Sequence, residues 1–119
     1  MDDERQRLLA GRERTLERIG SLTRELGGII DATALVASDD EHDPEGASTA
    51  FERQQVSALL EQAAAQLVDL DAALARLDDG TYGSCQRCGS PIPAGRLEAR
   101  PATRTCIICA STPRHQEVR

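Results

Sequence analysis

Cys85-Gln86-Arg87-Cys88 and, seventeen residues later, Cys106-Ile107-Ile108-Cys109 contain all four cysteines of this 119-residue chain. Two Cys-x-x-Cys pairs at this separation have the spacing of a four-thiolate zinc site. Each turn sets two sulfurs on one side of a tight knuckle, and two knuckles complete a tetrahedron. Gly89 follows the first pair directly, where a knuckle calls for a residue that tolerates positive φ. A pair of disulfides and a redox-active Cys-x-x-Cys are the competing readings. Nothing in the sequence points to secretion, where stable disulfides form, and a second pair at metal spacing argues against a lone redox motif. One structural zinc held by Cys85, Cys88, Cys106 and Cys109 is the expectation.

The rest of the chain reads as helix. Aromatic residues are limited to Phe51 and Tyr82, so Leu, Ile, Val and Ala must supply the core. That composition suits helix–helix seams, with a metal compensating for a small core. From about Asp3 to Ala37 three apolar rows run at helical spacing. The first is Leu9, Leu16, Thr23, Ile30 and Ala37, the second Leu8, Thr15, Leu22, Ile29 and Val36, and the third Ile19, Leu26 and Thr33. Gly27-Gly28 interrupts this helix with either a close approach or a bend. A second helix runs to about Leu77 on a seam of Val56, Leu60, Ala63, Leu67, Leu70, Leu74 and Leu77. Its start is either Asp43-Pro44, with Asp as cap and Pro in the first helical position, or Thr49, with Glu52 completing a capping box. Gly80 is the expected C′ residue.

Two helices of similar length with a short connection become antiparallel neighbours. The expected fold class is therefore mostly α: a long antiparallel coiled-coil hairpin, roughly 50 Å at 1.5 Å per residue, followed by a small four-cysteine module. The expected division is 1–80 for the hairpin, with its tip at 38–46, and 81–119 for the module and a short tail. Charge follows this axis. The chain has 20 acids against 14 bases, a formal charge of −6, and every base is Arg. None lies between Arg24 and Arg53, a window with eight acids that include Asp39, Asp40, Asp43 and Glu45. Arg5, Arg7, Arg12, Arg14 and Arg18 are placed to pair with Asp69, Asp71, Asp78 and Asp79 across the hairpin, and the module's own Arg residues to offset thiolate charge.

Net acidity argues against non-specific binding to DNA phosphates, and no sequence-specific DNA binding is expected. The start, Met1-Asp2-Asp3-Glu4-Arg5, lacks a basic-then-apolar signal pattern, and no apolar run is long enough to span a membrane. A cytoplasmic protein without membrane contact is expected. No nucleophile–base pair or phosphate loop is visible, and four cysteines would leave a zinc ion no open position. The chain does not read as an enzyme.

Gly80-Thr81-Tyr82-Gly83-Ser84-Cys85-Gln86-Arg87-Cys88-Gly89, with Ile92, Arg96-Leu97-Glu98-Ala99-Arg100-Pro101 and Cys106-Ile107-Ile108-Cys109, resembles the DksA/TraR zinc-finger family. The resemblance is specific over about Leu70 to Ala110 and looser through the hairpin. It implies a regulator of transcription that binds RNA polymerase, with the hairpin in the secondary channel and acidic tip residues near the catalytic centre. The family's tip has two Asp separated by two residues, then a further residue and Ala. Asp40-Glu41-His42-Asp43-Pro44-Glu45 supplies both Asp, with Glu45 in place of Ala. The resemblance thus implies RNA polymerase as protein partner and Asp39, Asp40, Asp43 and Glu45 as the partner-binding tip.

Each feature has a plainer reading. On composition alone the tip reads as a solvated turn, His42 as an exposed side chain rather than a pH switch, and Tyr82 as a packing residue between hairpin and module. The Leu seams are the core of a monomer, with a dimeric four-helix bundle as the alternative. Two other function classes stay open: a zinc-stabilised helical adaptor for another protein, and a redox-responsive zinc protein.

Overall fold

A computed structural model describes residues 2–36 and 44–112. The chain is mostly helical. Helix α1 is Asp2–Val36 and helix α2 is Pro44–Asp79; two short helices follow, α3 at Ala94–Ala99 and α4 at Ile107–Ser111. Among the described residues there is no strand, only an isolated antiparallel bridge between Ser84 and Pro91. No helix among them is long and apolar enough to cross a membrane.

The helix limits follow from end chemistry. Asp2, Asp3 and Glu4 occupy the first turn of α1, where carboxylates meet the positive end of the helix dipole. Helix α2 begins at Pro44, so the proline start prevails and Thr49 falls inside the helix. At the other end Gly80 adopts φ +84°, and the Thr81 N–H donates to Arg76 O at 2.9 Å, the long bond of a Schellman cap. The acids beside this cap have specific partners. Asp79 Oδ1 accepts from the Thr81 N–H at 3.0 Å and hydroxyl at 2.6 Å, and Asp78 accepts from Arg5 at 2.9 Å. Helix α1 runs unbroken through Gly27-Gly28, and a Cβ at either would meet nothing within 4 Å, so close approach is not their use.

The described residues form two compact units. The first takes the chain up to Arg12 and from Val68 onward. Leu8 is fully buried there among Leu70, Ala73 and Leu77, with Leu74, Tyr82 and Ala102 packed around them. Tyr82 thus packs between helix and cysteine segment as expected. Arg5 pairs with Asp78 and Arg12 with Asp71. Moving seven residues forward on α1 moves seven back on α2, so the two helices are antiparallel in this unit. The second unit, Glu13–Leu67, buries Leu22, Val56 and Ala63, with Ile19, Leu26, Ile29 and Leu60 alongside.

Only part of the apolar stripe on α1 faces inward. Leu8, Thr15 and Leu22 are buried, whereas Leu9, Leu16 and Ile30, all in the first row, are more than 40% exposed. Adjacent rows sit about 100° apart around a helix, and one facing helix cannot cover both.

Candidate metal centre

The first knuckle is built from backbone hydrogen bonds. The Gly89 N–H donates to Cys85 O and the Cys85 N–H to Ser90 O, both at 2.8 Å. Closing this turn takes Gly89 to φ +78°, a region that L residues with a Cβ rarely adopt. The Ser84–Pro91 bridge and an Ile92 N–H to Gly83 O bond at 2.7 Å continue the narrow loop, and Ile92 is buried beneath it. In the second knuckle Cys106 precedes the first residue of α4, and its carbonyl accepts the Ala110 N–H at 2.9 Å. The knuckles are joined directly. Gln86 N–H donates to Arg104 O at 2.8 Å, and the Arg87 guanidinium donates to the carbonyls of Cys109 and Thr112.

This scaffold brings the four Sγ atoms within 4.8 Å of one another. Cys88 and Cys106 Sγ are 3.8 Å apart. That is far beyond a bonded pair, about 2.05 Å, and all four cysteines are free thiols. The disulfide reading is therefore set aside. Zn–S bonds of about 2.3 Å in a tetrahedron separate sulfurs by about 3.8 Å, so the residues fit zinc.

The electrostatics agree. Burial pushes the Cys85 thiol up, but the backbone N–H groups of Cys106, Cys88 and Arg87 outweigh it and bring it down to about 6. Cys88 is lowered by the hydroxyl and N–H of Ser90. Cys109 is pushed up to about 12, first by its contact with the Cys106 thiol and then by burial. Four thiols this close cannot all ionise on their own account, and a divalent cation removes the conflict. Held by four thiolates, zinc supplies structural cross-linking and leaves no position for substrate.

The stretch between the knuckles is tied to its surroundings by side chains. Arg96 Nε on α3 donates to Thr105 O at 2.9 Å and its Nη2 to Thr103 Oγ1 at 3.2 Å. Tyr82 OH donates to Pro101 O at 2.7 Å, Arg76 Nη2 to Thr103 O at 3.4 Å, and Arg104 Nη2 pairs with Asp69 at 2.5 Å. Charge pairing thus differs in part from expectation. Asp71 and Asp78 find α1 arginines, but Asp69 is taken by Arg104 of the cysteine segment and Asp79 by Thr81. The Asp69–Arg104 pair is nearly half exposed on both sides, so it contributes less than about 1 kcal/mol.

Arg76 was not legible as a partner of this site. It is 6% exposed on the face of α2 that carries Ala73 and Leu77. The signal was its register: three residues after Ala73 and one before Leu77, it falls on the buried side, where an Arg needs an acceptor. Among the tip residues, Asp39, Asp40, His42 and Asp43 lie outside the described residues. Glu45 is the second residue of α2.

Residues 80–113 match the family described as the prokaryotic dksA/traR C4-type zinc finger. An uncharacterised protein of Aquifex aeolicus is 52% identical over 46 residues, 39% of this chain but 32% of that protein, less than a third of its length. The RNA polymerase-binding transcription factor DksA of Caulobacter vibrioides is 32% identical over 107 residues, covering 87% of this chain and 68% of that protein. The solved structure of transcription factor DksA2 from Pseudomonas aeruginosa superposes with a TM-score of 0.76 at 33% identity, over 98% of this chain and 81% of that one.

Proposed function

The chain belongs to the DksA/TraR zinc-finger family, and from that premise we propose that it is a transcription regulator that binds RNA polymerase through the secondary channel. The observation that carries this reading is the extent of the likeness. It runs through both long helices as well as the four-cysteine segment. In this reading residues 1–80 form the arm that enters the channel and 81–119 the zinc module at its base. Cys85, Cys88, Cys106 and Cys109 ligate the zinc, which cross-links that base.

The acting groups are Asp39, Asp40, Asp43 and Glu45. Carboxylates delivered near bound Mg²⁺ or basic channel residues compete for those groups through long-range attraction, with little contact area needed. The sequence runs from Arg24 to Arg53 without a base, so no residue of opposite charge stands next to these acids in the sequence.

The test is binding to purified core polymerase in competition with another secondary-channel protein. Competitive binding is expected; no binding, or binding without competition, sinks the reading. A double variant, Asp40→Asn with Asp43→Asn, is expected to keep polymerase binding and lose the effect on transcription in vitro. Survival of both would make the tip a mere turn.

A further inference from the structure

Between the two knuckles, residues 100–105 contain neither helix nor strand. Their position is nevertheless specified at three successive points. Pro101 O accepts from Tyr82 OH, Thr103 O from the Arg76 guanidinium, and Arg104 is clamped by Asp69. The Arg104 carbonyl in turn accepts the Gln86 N–H inside the first knuckle. Cys106, the first sulfur of the second knuckle, is two residues further on. A continuous line of contacts therefore leads from α2 to both halves of the metal centre, and none of its links passes through sulfur.

Arg76 is the member whose burial most needs a reason. Its charged form is disfavoured first by desolvation and then by the nearby Arg104. A guanidinium in the closing turn of a helix is ordinarily solvated, and burying it is costly unless it is hydrogen-bonded. Here its backbone carbonyl accepts the N–H groups of Thr81 and Tyr82 while its side chain reaches Thr103 O. One residue thus closes α2, starts the cysteine segment and holds the linker.

We propose that Arg76, supported by Tyr82 and Asp69, is a positioning residue for the metal centre. It keeps residues 100–105 against α2, so that Cys106 and Cys109 stay opposite Cys85 and Cys88 independently of the metal. Ordering a linker is an entropic cost of metal binding. Ordering it beforehand raises affinity and slows release.

The experiment uses the full chain and zinc alone as the probe. Zinc affinity is measured by competition with a chromogenic chelator, and release by the rate of transfer to excess chelator. Arg76→Met keeps the apolar stem and removes the donors; it is expected to lose about tenfold in affinity, as outer-layer partners of metal sites commonly do. Arg76→Lys, whose ammonium can still donate to Thr103 O, is expected to recover part of that loss. Tyr82→Phe deletes only the hydroxyl and is expected to speed release roughly threefold, one hydrogen bond's share. It also keeps the test informative if Arg76→Met does not fold. Helix content of the zinc-loaded variants, followed at 222 nm, is expected to equal the parent's. A parent that binds one zinc, with affinity and release within about twofold in both Arg76→Met and Tyr82→Phe, overturns the proposal. Equal losses in Arg76→Met and Arg76→Lys do so too. A parent that binds no zinc would instead overturn the metal assignment itself.

Discussion

Within residues 13–67, the apolar core described between α1 and α2 is Leu22, Val56 and Ala63, with Ile19, Leu26, Ile29 and Leu60 half-buried at the margins. In the other unit the same helices bury Leu8, Leu70, Ala73 and Leu77 and receive a third layer, Tyr82 and Ala102 of the cysteine segment. The difference shows in the degree of burial. Leu8 and Ala73 are 0% exposed, while Leu22, the best-buried large side chain that α1 supplies to the other unit, keeps 8%. Two helices alone can hide only the stripe each turns toward the other; Leu16, Ile30, Phe51 and Leu59 stay exposed in that unit. The small Ala63 is nearly enclosed there at 1% exposure, but a leucine, Leu8, is fully enclosed where covering comes from a third direction. The cysteine segment provides it, and it can do so only if something other than a large apolar core keeps it folded.

Removing zinc is the strongest way to break this contrast. Structural zinc sites carry on the order of 10 kcal/mol of binding free energy, which is also folding free energy. Chelation is expected to abolish amide hydrogen-exchange protection within the two knuckles and to lower it across the end of α2 from Val68, with residues 100–105 keeping part of theirs through Arg76, Tyr82 and Asp69. Protection around Val56 and Ala63 should fall much less. A uniform collapse of protection would mean that the two units do not differ in this way.

A smaller effect separates the two cores. Leu8→Ala empties a fully enclosed site and is expected to cost about 3 kcal/mol, whereas Leu22→Ala, in the less completely enclosed core of the other unit, costs about 2 kcal/mol. Urea unfolding of the zinc-loaded protein measures both. Equal costs would remove the role assigned to the third layer.

The smallest effect concerns the junction of α2 with the cysteine segment. The Thr81 hydroxyl, and then its N–H, hold the Asp79 carboxyl below its ordinary value of 3.8. A depressed folded-state value means that the cap's stabilisation is complete above about pH 3.8 and is lost as pH falls through the lower folded value. Asp79→Ala is expected to flatten that part of the acid-unfolding profile. An unchanged profile would show that the cap makes no contribution.

Much of this was readable beforehand, for definite reasons. Cysteine spacing is a local property, and a knuckle needs only a few residues and a glycine; Gly89 and Gly80 both take the positive φ expected of them. Helix ends are local too: the start of α1 and the end of α2 lie within two residues of the predicted limits, and Pro44 is already helical, which sets aside the start at Thr49. Partner choice was not local. Asp69 lies on a helix facing several arginines, and its pairing with Arg104, 35 residues away, depends on where the cysteine segment folds back. Which of two neighbouring rows on α1 turns inward was equally hidden, since Leu8 and Leu9 rows have similar apolar content.

The sequence by itself thus determined the two long helices, the glycine that closes the second, the metal-binding spacing and the family, because each is written in residues close together along the chain. Only the tertiary structure decided that Leu8 rather than Leu9 is enclosed, that Asp69 belongs to Arg104, and that Arg76 is buried against Thr103. Those outcomes depend on which surface a distant segment comes to cover, and covering is a property of the packed chain.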